Sequence, residues 1–361
     1  MGKYTFPEKP QHKFTKKELA QRKKILDKKI EHIKYENLKD IAPLLDSFSK
    51  SSFQARKLGE GAKLYKNELE KETTIIWSLA GSIFSAGLRE LVIESIRKNL
   101  VDCLVCTGAL FEQDMLEALG HRHYAQTNMN EDRKLQSLLI DRIYDHLLDE
   151  LDLQHVDLTY KKIAKHIPYG NYSSREFMYE CGKWLSKNKG AKDSVMLAAY
   201  EMNIPIFIPA INDCSIGIGL AMNQAESVDG ICIDSIKDLR EIAMMKNICG
   251  DSGIIIIGGG VPKNYSQDSV VMAEMLGYKV EKHKFGIQIS TADSRDGGLS
   301  GSTLKEAISW GKNDQEMEEI MIWGEASVYF PLLLSYINMV KRNDKKELNK
   351  HINTNDLKKR K

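Results

Sequence analysis

Seven short apolar runs, most of them closing on a turn of small residues, constrain this chain more than any other feature. "TTIIWSLAG" and "VDCLVCTGA" come first, and "IPIFIPAI", "VDGICID", "GIIIIGGG", "FGIQISTA" and "EIMIWGEAS" follow after residue 200. Helical stretches lie between them: "SAGLRELVIESIRKNL", "FEQDMLEALG" and segments expected at 236–247, 267–277 and 302–311. Strand, small-residue turn and helix in repetition argue for a parallel sheet with helices on its faces. The expected class is α/β, one doubly wound domain with helical additions at its N-terminus.

The main body is expected over residues 73–340, behind a basic helical segment at 1–72 and ahead of a basic tail at 341–361. "LKDIAPLLDSFSKSSFQARKLGEGAKLYKNEL" predicts two short helices before the body, and residues 121–200 read as helical and polar, with a Ser-capped helix in "HIPYGNYSSREFMYECGKWL". Residues 1–30 and 341–361 contribute +7 and +6 to a net charge of +2, which leaves about −11 on residues 31–340. An acidic body favours a cationic substrate. The basic ends read as solvated tails in preference to nucleic-acid contacts. The longest apolar runs are too short to span a bilayer and no signal-peptide pattern opens the chain, so a cytoplasmic location without membrane contact is expected. Six scattered cysteines read as buried apolar residues. Cys103 and Cys106 form a lone CxxC inside a strand, where alternate residues face opposite ways.

Ligands of such sheets bind beyond the carboxyl ends of the strands, so the turns there are the places to read for chemistry. They are "LAGSIFSAG", "CTGALFEQD", "PAINDCSIGIG", "GGGVPKN", "STADSRDGGLSGS" and "GEAS". Small residues let backbone N–H groups approach a pyrophosphate, and a helix N-terminus adds a favourable field. No strict GxGxxG opens a helix after the first strand, so a dinucleotide is indicated by position and not by its usual fingerprint. Glu112, Asp114, Asp213, Asp293, Asp296, Glu306 and Glu325 lie in or near these turns. Some cap helices, yet carboxylates around one rim suit a polyamine or guanidinium, whose charges need partners once desolvated.

"LKEAISWGKND", residues 304–314, sets Lys312 after a buried-looking Trp310–Gly311 turn. One reading is a helix ended by glycine with a lysine on its dipole. The other is chemical: an ordinary lysine, pKa about 10.4, is almost wholly protonated at pH 7. Burial against an aromatic ring frees the amine, and the usual use of such a lysine is Schiff-base catalysis. His121 and His123 in "HRHYA" read as structural or substrate-contacting, and no metal site is expected.

Together, "SAGLRE", "PAINDCSIG", "GGGVPKN", "GLSGSTLKEAISWGK" and "EASVYFPLL" resemble, in this order, the deoxyhypusine synthase family over roughly residues 45–340. "GGGVPKNYSQDSVVMAEMLG" and "HKFGIQISTADSRDGG" are similar to the deoxyhypusine synthase-like branch of prokaryotes. The resemblance implies a Rossmann-like fold, NAD as cofactor and a homotetramer with active sites between subunits. It also implies a reaction in which NAD oxidises a polyamine, Lys312 captures the imine, and the butylamine fragment passes to an acceptor amine. NAD contacts carried over from the family are residues 81–85, with Ser82 and Ser85, then residues 107–109, with Thr107 and Gly108, and Asp213, Gly259, Thr291, Ala292, Glu325 and Ala326. Glu112, Glu306 and Trp310 would hold the amine, and Asn264 and Asp296 join this substrate set.

Departures fall where the substrate should bind. Protein-modifying members of the family carry Asp in place of Ile218, His in place of Asn264, Glu in place of Gln113 and Asp in place of Leu299. A buried ammonium that loses its carboxylate costs about 2–5 kcal/mol, so the spermidine site must differ, with Asp293 or Asp296 as replacements from the same loop. The prokaryotic branch implies transfer of an aminobutyl or guanidinobutyl group between small amines: agmatine, putrescine or spermidine. The alternatives are transfer from spermidine to a translation-factor lysine and a non-catalytic protein that binds NAD or polyamine.

Overall fold

The computed structural model describes residues 12–27, 29, 41–126, 131–188, 190–226, 230–343 and 345–352. Six strands make the central sheet: β1 Thr74–Leu79, β2 Cys103–Cys106, β3 Ile206–Phe207, β4 Ser252–Ile257, β5 His283–Ser290 and β6 Asn313–Trp323. Their spatial order is β6-β5-β4-β1-β2-β3, and every neighbouring pair is parallel. The chain therefore begins at the centre and winds outward to each edge in turn. This is the doubly wound, Rossmann-like arrangement, with its switch point between β1 and β4.

β1, β2 and β4 are buried at every position, as strands covered on both faces must be. On one face Ile75, Trp77 and Leu79 join Leu58 and Tyr65 of helix Phe53–Glu70 and Phe330 of helix Ala326–Ile337. On the other, Ile76, Cys103, Val105 and Phe207 pack against Ile242 and Met245 of helix Ser235–Ile248. The two cysteines of the CxxC thus enter opposite cores, Cys106 the first and Cys103 the second. Burial pushes both thiols up, away from thiolate chemistry.

Several expectations need correction. "VDGICID" supplies only Cys232–Ile233, which pairs with Asn171–Tyr172 outside the central sheet. Its chain stops there because Asp234 caps the next helix, accepting from the Lys237 N–H at 2.9 Å. The supposedly helical middle contains a three-stranded antiparallel sheet, Tyr124–Ala125, Ile140–Ile143 and His146–Asp149. Its hairpin turns at Tyr144, φ +54°. The expected Ser-capped helix is present as Ser174–Lys187, with a Ser173/Glu176 capping box.

The helix expected over 302–311 shrinks to one turn, Glu306–Ser309. The Ser302 carbonyl accepts from Lys263, and the Glu306 N–H turns to Thr303 Oγ1 at 3.0 Å, so the helix begins only after Thr303. Gly311, φ +73°, then ends it. The C-terminal tail is not simply solvated. The Arg342 guanidinium lies inside the fold on Asp102 at 3.0 Å, and Leu348 and Ile352 join the second core. No described helix is long and apolar enough to cross a membrane.

Candidate active site

At the switch point the Ala80 N–H donates to the Ile257 carbonyl at 3.0 Å and the Gly258 N–H to the Ile289 carbonyl at 2.8 Å. Beyond these strand ends lies a cleft of about 710 Å³, a size common among cofactor sites. Ala80, Gly81, Gly258 and Gly324 line it on the sheet side, and the hairpin turn at 143–146 faces them. Ser82, Ser85, Thr291, Glu325 and Ala326 also line it.

Local bonds set these groups. A π-turn over Phe84–Leu88, relaxed by Gly87 at φ +90°, lets the Ser85 N–H donate to Gln113 Oε1 at 3.0 Å and Ser85 Oγ to the Ser82 carbonyl at 2.8 Å. Glu325 caps helix Ala326–Ile337 through the Ser327 N–H at 2.9 Å. His146 secures the hairpin, its Nε2 3.1 Å from His123 Nδ1, and burial lowers its pKa.

Thr107, Gly108, Asp213, Gly259 and Ala292 are not among the cleft-lining residues. Thr107 precedes helix Gly108–Ala118, with its Oγ1 buried and without a hydrogen-bond partner. A side chain at Gly108 would meet Cys214 Sγ at 2.2 Å. Asp213 is exposed on the turn after β3, and the Ala292 N–H donates to Ser290 Oγ at 3.1 Å. Gly259 lies under the loop that follows β5, where a Cβ would stand 2.5 Å from the Ser300 Cα. Gly259→Val should therefore displace that loop and cost about 1–3 kcal/mol in urea unfolding; unchanged stability would show that the loop does not rest on residue 259.

Lys312 occupies a second place. Its ammonium lies 2.8 Å from Asp268 Oδ1 and donates to Asn264 Oδ1 at 2.9 Å, with the Trp310 ring centroid 5.3 Å away. Asn264 Nδ2 donates to Asp268 Oδ2 at 2.7 Å. Both residues sit on helix Gly260–Met275, one turn apart on the same face. The Trp-Gly turn is not buried: Trp310 is 66% exposed. Lys312 is thus held by a carboxylate and an amide, with the indole on the outside.

Beside it, Lys263 is almost wholly buried, donating to Gln288 Oε1 at 2.9 Å, to Ser302 Oγ at 3.0 Å and to the Ser302 carbonyl. Burial pushes its pKa down to about 8, with Glu306 pulling it up and Lys312 pushing it further down. Sequence reasoning missed both Asp268 and Lys263. The four-residue spacing of Asn264 and Asp268 was visible, but nothing local shows that Lys312 lies against that face.

The acids of these turns have different local partners. Asp114 is fully buried on Arg89 at 2.7 Å and accepts from the Val195 and Met196 N–H groups. Asp293 pairs with Arg295 at 2.7 Å, and Asp296 accepts from the Gly298 N–H at 2.6 Å. Glu306 is exposed. Glu112 accepts from the Ser215 N–H at 3.0 Å, and burial raises its pKa. Among the described residues no group of three His, Cys, Asp or Glu side chains could hold a metal ion.

The family model for deoxyhypusine synthase matches residues 43–337. The chain belongs to the deoxyhypusine synthase family. It is 45% identical over 301 residues to a deoxyhypusine synthase-like protein of Chlorobaculum parvum, covering 82% of this chain and 86% of that one. A deoxyhypusine synthase-like protein of Coxiella burnetii is 44% identical over 318 residues, covering 87% and 90%. A probable deoxyhypusine synthase 2 of Methanosarcina mazei is 38% identical over 296 residues, covering 82% and 86%. The fold matches a crystal structure of a putative deoxyhypusine synthase from Entamoeba histolytica with a TM-score of 0.56 at 19% identity, over 88% of this chain and all of that one.

Set in the deoxyhypusine synthase family, the departures have visible places. Ile218 and Leu299 are 50% and 46% exposed apolar side chains. Gln113 is buried and holds the backbone of Ser85, while Asn264 is bound to Lys312 and Asp268.

Proposed function

We propose that this protein is an NAD-dependent transferase of polyamine biosynthesis that moves an aminobutyl or guanidinobutyl group between small amines through an imine on Lys312. The observation that carries this is the Lys312 amine held against Asp268 and Asn264 beside the face of Trp310. A carboxylate and an aromatic face are what an alkyl diamine or guanidine needs in order to leave water. Family membership supports the transferase class.

NAD is supported by the cleft at the switch point, where doubly wound sheets bind dinucleotides. Its glycine and alanine wall leaves room for a pyrophosphate, and Thr107 Oγ1 at a neighbouring strand end is a buried polar atom awaiting a partner. Bound there, NAD would take electrons from the amine's C–H bond and return them after transfer. Ser82, Ser85, Thr291 and Glu325 would hold it there. Lys312 does not line the cleft of its own chain. Trp310, exposed beside the lysine, favours its coverage by a second copy, in keeping with a homotetramer whose sites lie between subunits.

The test is incubation with NAD and agmatine, putrescine or spermidine, singly and in pairs, with products identified by mass spectrometry. A new, longer amine is the expected result. No amine product, with label passing from spermidine to a translation-factor lysine, would overturn it in favour of the second reading, to which the Methanosarcina mazei relative lends weight.

A further inference from the structure

The contact between Lys312 and Asp268 matters most after a carbon has been joined to the lysine, so its importance rests on the imine role proposed for Lys312. Three groups close a ring: Lys312 Nζ touches Asp268 Oδ1 at 2.8 Å and Asn264 Oδ1 at 2.9 Å, and Asn264 Nδ2 holds the other Asp268 oxygen at 2.7 Å. The carboxylate is thereby aimed at Nζ from a rigid helix. The side chains of Lys312 and Asp268 are only 12% and 23% exposed, so water and salt screen the pair weakly.

Imine formation does not remove the positive charge from this lysine. The free amine adds to an aldehyde or imine carbon, a C–N bond forms, water or an amine leaves, and the protonated C=N–H⁺ product carries the charge the ammonium had. That protonated form is the electrophile an acceptor amine can attack. A carboxylate in contact favours the charged form over the neutral one.

We propose that Asp268 is the counter-ion of the Lys312 iminium, a catalytic carboxylate that keeps the bound fragment protonated and open to attack, with Asn264 fixing its orientation. The acceptor nitrogen adds to the iminium carbon, and its proton passes to Nζ. The C–Nζ bond then breaks with its electron pair on Nζ, and the charge departs on the new C=N–H⁺. A proton from water restores the ion pair. Other charges face this place from each neighbouring element. Lys263 comes from the same helix and Glu306 from the one-turn helix, where it acts on Lys263. Lys282 comes from the segment before β5, its Nζ 4.0 Å from where a side chain at Gly311 would begin. None of them supplies the carboxylate contact that Asp268 makes.

The test needs no cofactor. The full chain is incubated with a four-carbon amino aldehyde across neutral and alkaline pH, the protonated imine is reduced with cyanoborohydride, and the adduct on Lys312 is measured by mass spectrometry. Asp268→Asn should move the alkaline fall-off of trapping to lower pH by about one unit or more, and Asp268→Glu should return it towards the wild-type position. A purely structural role would lower the yield at every pH and leave the fall-off in place. A fall-off unmoved in Asp268→Asn, or moved equally in Asp268→Glu, would overturn the counter-ion while leaving transfer through Lys312 intact. Absence of any wild-type adduct on Lys312 would overturn the imine role and the counter-ion together.

Discussion

Lys312→Ala is expected to lower the proposed amine transfer by about 10³-fold or more, because a residue that forms the covalent intermediate would have no substitute. The loss of stability should stay below the ~3–5 kcal/mol of a fully buried pair, because the Asp268 side chain keeps 23% exposure and the amide of Asn264 when the lysine is gone. The proposed binding of NAD, read by calorimetry, should be retained, since Lys312 lies outside the lining of the cleft. Lys312→Arg sharpens the point: it keeps a cation on Asp268 and Asn264 but forms no imine, so it should fold like the parent and remain inactive. Transfer by the Ala variant at a rate near that of the parent would remove the covalent role.

Arg342→Met should cost about 3–5 kcal/mol at neutral pH, by the rule for a buried charge deprived of its mate. The Arg342 side chain is fully buried and donates to Asp102 at 3.0 Å and to the Asn99 carbonyl at 3.1 Å. Asp102 in turn accepts from the Ile75 N–H at 2.8 Å, at the edge of β1. Burial pushes the Asp102 carboxyl above its ordinary value, and the Arg342 guanidinium is foremost among the groups that pull it back down. Without Arg342 the folded carboxyl binds its proton more tightly than the unfolded one, so the variant regains stability as pH falls. Urea unfolding should therefore show the deficit shrinking from neutral to mildly acid pH. A deficit independent of pH would mean that lost packing, and not an unpaired carboxylate, is responsible.

Much of the fold could be read from the strand-turn-helix repetition, because strands covered on both faces must be apolar throughout and the turns between them must be small. β1, β2, β4 and β5 fall where the runs "TTIIWSLAG", "VDCLVCTGA", "GIIIIGGG" and "FGIQISTA" put them. The errors arose where tertiary contacts decided the outcome. Residues 302–311 have helical spacing but lose most of the helix to Lys263, whose ammonium takes the Ser302 carbonyl. The tail at 341–361 has the composition of a solvated segment, yet Arg342 is drawn inward by a carboxylate some 240 positions earlier.

For the candidate site, the sequence alone determined the kinds of group present: a glycine-rich set of strand ends and a lysine preceded by Trp-Gly, in an order that marks the family. These follow from local requirements, since close backbone approach needs glycine and imine chemistry needs an amine. The tertiary structure alone decided which groups meet. It put Asp114 and Asp293 in ion pairs and Glu112, Asp296 and Glu325 on backbone N–H groups, left Lys312 out of the cleft of its own chain, and set the lysine on Asp268. Charge pairing depends on distance in space, and sequence spacing fixes that distance only within a single helix or turn.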